Sequence, residues 1–175
     1  TVILLLGIPG LLFFKNSQWP KLAVENSFTY VLLAFIALAA GLDFLEALTP
    51  PADADSLAYH FKIPRHFIEA GKIFFVEQAF DGAVPLLIQM TYIPVLAIGG
   101  ELAMTMWMMI SGWATCYLMY QLCRIHLNQN WSLAVAVIFL TTPAVVFSGG
   151  SGHVESRIGL FVLLTAWAIS QVLKT

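Results

Sequence analysis

The sequence predicts an all-α fold: a polytopic helical membrane protein with interfacial helices in its first outer loop. Of the 175 residues, 59% are hydrophobic and 10% are charged, whereas a soluble domain carries about 25% charged residues. Several apolar segments approach the length of about 20 residues that a helix needs to cross a bilayer. From this apolar composition we expect the lipid bilayer as a partner. The net charge of −2 provides no basic surface, so we expect no nucleic acid as a partner.

Five apolar segments are predicted to cross the bilayer. The first, residues 1–14, reads as the end of a span whose beginning is missing. The other four predicted spans comprise residues 28–48, 102–123, 131–147 and 154–173. Because apolar runs adjoin both ends of the sequence, we expect residues 1–175 to be a fragment of one transmembrane domain, truncated at both ends.

A sixth apolar segment, residues 85–98, is predicted to lie at the membrane interface without crossing. A helix from Ala83 to Ile98 would be about 24 Å long, shorter than the hydrocarbon core of roughly 30 Å. Two prolines interrupt the segment, and Gly99-Gly100 follows it. Its topology decides whether the loops 49–81 and 148–153 face the same compartment. Length favours the non-crossing arrangement, whereas the distribution of Lys and Arg slightly favours the crossing one.

The long polar loop 49–81 holds the first group of candidate functional residues. Two prolines end the preceding helix, and Asp53 or Asp55 can cap a short helix that begins near Ser56. We therefore predict interfacial helices over residues 56–70, with Asp55, Tyr59 and Lys62 on one helical face. A carboxylate here could act as a general base or bind a divalent metal. A solvated pair of amphipathic helices would explain the same pattern.

A glycine-rich loop, residues 148–152, forms the second polar connection. Glycines before a helix leave backbone N–H groups free, and a helix N-terminus favours anions. His153, Glu155 and Arg157 follow the glycines, so two charged residues enter the first turn of the last predicted span. Such charges are costly unless they are paired or face a polar cavity. An interfacial loop whose charges reach water is the alternative interpretation.

The loop residues resemble the first outer loop of the GT-C membrane glycosyltransferases. The residues that carry this likeness are Pro51, Asp55, Leu57, Tyr59, His60, Pro64 and Gly71. They are similar to the RgtA/B/C/D-like group, in the wider superfamily of dolichyl-phosphate-mannose protein mannosyltransferases and the aminoarabinose transferase of lipid A. Residues 85–100 resemble the family's second, non-crossing interfacial helix, and residues 148–160 resemble its second outer loop. The likeness extends over about residues 28–173.

The resemblance implies transfer of a sugar from a polyprenyl-phosphate-linked donor to a hydroxyl acceptor on a glycan, lipid or protein. It implies an integral protein of the bacterial inner membrane whose active site faces outward. Asp55 would be the catalytic base, with Asp53 as the second candidate. The residues implied in substrate or donor-phosphate binding are Tyr59, His60, Lys62, Arg65 and Arg157. A divalent metal is a candidate cofactor, for which Asp55, His153 and Glu155 are the candidate ligands.

The resemblance also favours the non-crossing topology, which brings Asp55 and Glu155 to the same side of the membrane. A transporter or flippase fragment is the alternative function, with Glu155 and Arg157 on an intramembrane substrate path. Helices broken at mid-membrane depth would favour that alternative. The sequence suggests breaks only near the ends of its segments. A membrane scaffold without chemistry is the third interpretation.

Overall fold

Helices connected by short loops make up the part of the chain that the computed structural model describes, residues 22–24, 26–77 and 87–173. No strand occurs within those ranges, so the predicted all-α class is confirmed. The predicted span 1–14 lies outside the described residues. Six α-helices occur in the described ranges: α1 (Ser27–Ala47), α2 (Lys62–Ala70), α3 (Tyr92–Cys123), α4 (Gln129–Thr141), α5 (Pro143–Ser148) and α6 (Glu155–Val172).

Among the described residues, two helical segments are long and apolar enough to cross a membrane, namely α1 and the continuous helix from Gln89 to Cys123. Only 17% and 22% of their most apolar windows are buried within the protein. A core helix of a soluble protein would be mostly buried, so the exposed apolar surface of these helices favours membrane association. Membrane association is supported to this extent, and the full set of predicted spans stays a prediction.

The segment from Gln89 to Cys123 is longer than a single span requires. It opens with a 3₁₀ turn, Gln89–Thr91, and continues as α3. A straight helix of 35 residues would be about 52 Å long, against a core of roughly 30 Å. Gly100 divides it, with a left-handed φ of 67° and ψ of −159°. The predicted interfacial helix 85–98 is therefore joined to the next span by a kink, and residues 85 and 86 lie outside the described residues.

One other predicted helix is divided in the structure. The expected single span 131–147 becomes α4 and α5, because Pro143 disfavours the α conformation at Thr142, whose ψ is 127°. This division corrects the expectation of one unbroken helix there.

The interfacial helices expected over residues 56–70 are a π-helical turn, Ser56–His60, followed by α2. Gly71, with φ of 65°, ends α2. The first of the two helices is therefore π-helical, whereas an α-helical spacing was expected.

Hydrogen bonds between helices hold the ends of α1, α3 and α6 together beneath the two polar loops. The Thr105 hydroxyl donates to the Ala47 carbonyl at 2.6 Å, which ties α3 to the end of α1. The Thr115 hydroxyl donates to the Ser156 carbonyl at 2.8 Å, which ties α3 to the start of α6. The polar loops that follow α1 and precede α6 therefore leave the helical bundle side by side.

We predict that Gly100→Ala lowers the free energy of unfolding by about 1–3 kcal/mol, because its φ of 67° and ψ of −159° lie in a region that essentially only glycine occupies. No heavy atom lies within 4 Å of the position that this Cβ would take, so the effect is purely conformational. Gly41→Ala is the matched control, since Gly41 is helical and equally unhindered. It should stabilise the protein by up to about 1 kcal/mol. Equal effects of both variants in reversible detergent unfolding would contradict the kink.

Candidate functional site

Asp53 begins the π-helical turn and points its carboxylate into the protein. Its Oδ1 accepts a hydrogen bond of 2.7 Å from the backbone N–H of Ser56, which is a helix N-cap interaction. The turn buries Ser56 and His60, whose exposed fractions are 0% and 3%. Asp55 lies on the exposed side of the same turn. The loop after α1 therefore presents Asp53, and not Asp55, to the interior.

The glycine-rich loop packs directly against this turn and the end of α1. A Cβ on Gly149 would lie 2.6 Å from the Asp43 carboxylate, and one on Gly152 would collide with Ser56. The Gly152 N–H donates to the Ser56 hydroxyl oxygen at 2.7 Å, and the Gly150 N–H donates to a Glu46 carboxylate oxygen at 3.0 Å. The prediction that these N–H groups are free for an anion is therefore wrong, because the chain's own oxygens occupy them.

His153 lies between two carboxylates where the two loops meet. Its Nε2 is 3.4 Å from Asp53 Oδ1, and its Nδ1 is 3.7 Å from Glu155 Oε2. The imidazole packs against the Phe147 ring, with 5.0 Å between centroids. The His153 and Asp53 side chains are 12% and 13% exposed, whereas Glu155 is 67% exposed. The three groups therefore form a row that leads from the interior to the surface.

The surroundings of Asp53 and His60 set their charge states. Burial alone would raise the pKa of Asp53. The hydrogen bonds from Ser56 and the charge of His153 together outweigh burial, so this pKa lies below its ordinary value. Burial, followed by the charge of His153, lowers the pKa of His60. The Gln89 side-chain amide nitrogen lies 2.9 Å from His60 Nδ1. It donates to Nδ1 when the neutral ring carries its proton on Nε2. At neutral pH the site therefore combines an ionised Asp53 with an uncharged His60.

Arg157 is the most deeply buried charged side chain of the described chain, with 1% exposure. Its Nη1 donates to the Thr91 hydroxyl at 2.7 Å, and its guanidinium stacks 4.0 Å from the centroid of the Tyr92 ring. Nε and Nη2 are buried without a hydrogen-bond partner among the described residues. Stacking on tyrosine contributes about 0.5–2 kcal/mol, whereas desolvating an ion costs several kcal/mol. The buried charge is therefore only partly compensated by the protein.

Two open spaces adjoin these residues. A cavity of about 330 Å³ is lined by the carboxylates Asp53 and Glu46 and by apolar residues that include Phe147. An apolar groove of about 750 Å³ lies between the segment before α3 and one side of α6. Its lining consists of Leu87, Ile88, Thr91, Ile158, Phe161, Val162, Thr165, Ala166 and Ile169. Thr91, the hydrogen-bond partner of Arg157, therefore belongs to the groove wall.

The grouping of Asp55, Tyr59 and Lys62 on one helical face assumed α-helical spacing throughout. Ser56–His60 is instead a π-helix, closed by the Phe61 N–H donating to the Ser56 carbonyl at 3.0 Å. The spacing therefore differs from the expected one, and Asp55 lies at the surface. Lys62 and Arg65 are exposed, and Arg65 pairs with Glu101 of α3. Tyr59 is half-buried and packs beside His60, with ring centroids 4.1 Å apart.

The predicted metal ligands do not converge on one position. Asp55 is exposed, and the carboxylates of Asp53 and Glu155 face different nitrogens of His153. An ion bound to one ring nitrogen would therefore engage only one of the two carboxylates. Across the described ranges, no group of three or more His, Cys, Asp or Glu side chains is arranged to hold a metal ion. This arrangement gives no support to a divalent metal at Asp55, His153 and Glu155, which stays a prediction.

Several residues of this site gave no functional signal in the sequence. Ser56 was recognised only as a helix start, and Thr91 and Tyr92 follow an apolar segment without any motif. Gln89 was visible as a polar residue in an apolar run, which is the one signal that could have identified it. These residues become part of the site because the kinked α3 brings its first turn beside the glycine-rich loop, where the Tyr92 hydroxyl donates to the Gly152 carbonyl at 2.7 Å.

Comparisons with known proteins return no relative of this chain. No family model matches the sequence, and neither a curated protein nor a solved structure matches it. The likeness to GT-C glycosyltransferases therefore rests on the residues of the loops. The function must be inferred from the geometry of the site.

We predict that Gly152→Ala disrupts the contact between the two loops, because its Cβ would overlap Ser56 and the Phe61 ring. Overpacking of this kind costs about 1–3 kcal/mol. Gly159→Ala is the control in the adjacent helix, where the new Cβ would meet only Thr115 at an ordinary 3.7 Å. Detergent unfolding should show a loss of stability for Gly152→Ala alone. A stable Gly152→Ala protein would show that the loops do not pack in this way.

Proposed function

We propose that this chain is part of an integral-membrane glycosyltransferase that moves a sugar from a polyprenyl-phosphate-linked donor to a hydroxyl acceptor. The observation that carries the proposal is a buried arginine with unused donors beside an apolar groove, near a cavity lined by the ionised carboxylate of Asp53. Tyr92 links the two parts, since its ring stacks on Arg157 and its hydroxyl binds Gly152. Gly152 in turn binds Ser56, which holds Asp53.

The groove and Arg157 suit the two parts of a lipid-linked donor. From Ile158 to Ile169 the groove wall extends about 16 Å along α6, and its lining is almost entirely apolar. The unused Nε and Nη2 donors of Arg157 form the edge of a guanidinium that binds two oxygens of a phosphate. Lys62 and Arg65 lack this burial, so Arg157 is the principal phosphate-binding residue of the proposal.

Asp53 suits the role of the base towards the acceptor. It would take the proton of the acceptor hydroxyl, whose oxygen forms a bond to the anomeric carbon of the donor sugar. The bond between that carbon and the phosphate oxygen breaks, and Arg157 stabilises the charge on the departing phosphate. A general base contributes typically 10²–10⁴-fold to the rate. Asp55 remains the second candidate base, at the exposed surface of the same turn.

A transporter or flippase is the alternative that one observation favours. The break at Thr142 and Pro143 divides an apolar segment that the sequence predicts to be one span. Arg157 would then lie on the substrate path, as broken helices and buried charges do in transporters. Transport would move a lipid-linked substrate with its sugar still attached, whereas a glycosyltransferase cleaves the sugar from the phosphate.

The proposal is tested with the full-length protein that contains this chain, reconstituted into proteoliposomes with undecaprenyl-phosphate-linked radiolabelled hexoses. We expect release of the labelled sugar from the lipid fraction, and a decrease of at least about 100-fold in Asp53→Asn, from the loss of a general base. Asp55→Asn is the matched control two residues away and should stay close to the wild-type rate. Loss of activity only in Asp55→Asn would move the base to Asp55, and full activity of both variants would reject a carboxylate base in this loop.

The phosphate-binding role of Arg157 has a separate prediction in the same assay. Arg157→Lys keeps the charge but loses the two-donor edge, so KM for the donor should rise roughly 10-fold, the loss of about one hydrogen bond to a charged group. Arg65→Gln removes an exposed arginine and should leave KM unchanged. Intact lipid-linked sugar that crosses the bilayer without cleavage would instead support the transporter.

A further inference from the structure

We propose that His153 is a positioning residue that holds one oxygen of Asp53 and leaves the other as the reactive base. The inference rests on the proposed function and names the atom and the supporting group that act within it. Asp53 Oδ1 accepts from the Ser56 N–H at 2.7 Å and faces His153 Nε2 at 3.4 Å. Asp53 Oδ2 is buried and has no hydrogen-bond partner among the described residues.

The two oxygens of Asp53 are therefore not equivalent. Oδ1 accepts a hydrogen bond from the Ser56 backbone and lies in an ion-pair contact with His153, whose Nε2 has no hydrogen-bond partner among the described residues. Oδ2 is buried and keeps both of its lone pairs, in a carboxylate at the wall of the cavity of about 330 Å³. A buried acceptor without a partner is costly, and a hydroxyl that enters the cavity would supply the missing donor. The geometry thus assigns Oδ2 to the incoming acceptor.

His153 is itself held in place by three neighbours. Its ring packs between Phe147 and His60, with centroid distances of 5.0 Å and 6.0 Å. Its Nδ1 faces Glu155, on the solvent side. A ring fixed in this way restrains the rotation of the Asp53 carboxylate, which would otherwise depend on the single backbone hydrogen bond. Orientation matters because a displacement of about 1 Å can cost 10²-fold in rate.

In the proposed step, the O–H bond of the acceptor breaks and its proton moves to Asp53 Oδ2. The hydroxyl oxygen forms the new bond to the anomeric carbon. The electron pair of the cleaved bond between carbon and phosphate oxygen leaves with the phosphate. His153 touches neither the acceptor nor the donor in this step, and it acts only through Asp53. No further reactant is needed, because the donor supplies the leaving group.

Loss of His153 should change the pH dependence as well as the rate. The charge of His153 is one of the causes that lower the pKa of Asp53, after the hydrogen bonds from Ser56. Removing that charge should raise this pKa, so the acidic limb of the pH–rate profile should move to higher pH. The other titratable groups that interact with Asp53 and remain in the variant are Glu46 of α1, His60 of the π-helical turn and Tyr92 of α3.

The test compares His153→Leu with His153→Gln in the full-length protein, assayed in proteoliposomes with undecaprenyl-phosphate-linked hexose. We expect kcat to fall on the order of 10–100-fold in His153→Leu, with KM for the donor unchanged. His153→Gln retains an amide donor near the Nε2 position and should recover most of kcat. His126→Leu is the matched control, because His126 is exposed in the loop between α3 and α4. It should behave as wild type.

A second measurement keeps the inference separate from the proposed function. A water-soluble carbodiimide modifies protonated carboxyl groups, and mass spectrometry can follow Asp53 and Asp55 in the same peptide as the pH is varied. The midpoint of Asp53 modification should move to higher pH in His153→Leu, while that of Asp55 moves less. An unchanged Asp53 midpoint and a wild-type kcat in both His153 variants would overturn the inference, even if Asp53→Asn is inactive. A shifted midpoint together with an active Asp53→Asn protein would instead reject the proposed base, and with it the catalytic role of His153.

Discussion

The hydrogen bond from the Gly152 N–H to the Ser56 hydroxyl joins two loops that are 96 residues apart in sequence. It forms only because Gly152 has no side chain and because the π-helical turn directs Ser56 inward. Asp53 is fixed by the same residue through its backbone, and His153 follows directly after Gly152. The alignment of the carboxylate, the imidazole and the cavity therefore depends on this contact between the loops, beside which His153 meets Asp53.

The buried charge of Arg157 is an unfavourable contribution to stability in the same region. Its burial is unfavourable unless its donors are used, and the protein uses only one edge of the guanidinium, with Thr91 and the face of Tyr92. Functional sites commonly retain such unsatisfied groups, at a cost that the rest of the structure offsets. Here Tyr92 belongs to both systems, since it stacks on Arg157 and binds Gly152. Binding of an anion at Arg157 would consequently affect the contact between Gly152 and Ser56, and through it Asp53.

Composition and hydrophobic segments were sufficient to predict the helical class and to place most of the helices, because these depend on local properties of the chain. The helix breaks at Thr142 and Gly100 were harder to predict from the sequence. Pro143 carries a local signal for the first, but the kink at Gly100 also depends on how α3 packs. The π-helical turn could not be foreseen from spacing. Asp53, which precedes this turn, faces the interior, whereas Asp55 is exposed.

The candidate site was predicted in outline and not in detail. The two polar loops were recognised as the chemical part of the chain, and their residues do meet, with Asp53 beside His153 and His153 beside Glu155. The partners Thr91 and Tyr92 could not be recognised, since their roles come from tertiary contacts with residues about 60 positions away. The sequence placed Arg157 at the start of a predicted span and Lys62 and Arg65 in a polar loop. The structure buries Arg157 and leaves the other two cations exposed.

The most direct test of this account is the side of the membrane that each loop faces. In the full-length protein in intact cells, with Cys116 and Cys123 replaced by Ala, single cysteines would be placed at the exposed positions Asp55 and Glu155. A membrane-impermeant maleimide should label both positions from the outside, while a cysteine at the exposed His126 should be labelled only after the membrane is opened. Labelling of Asp55→Cys and Glu155→Cys from opposite sides would contradict a site shared by the two loops.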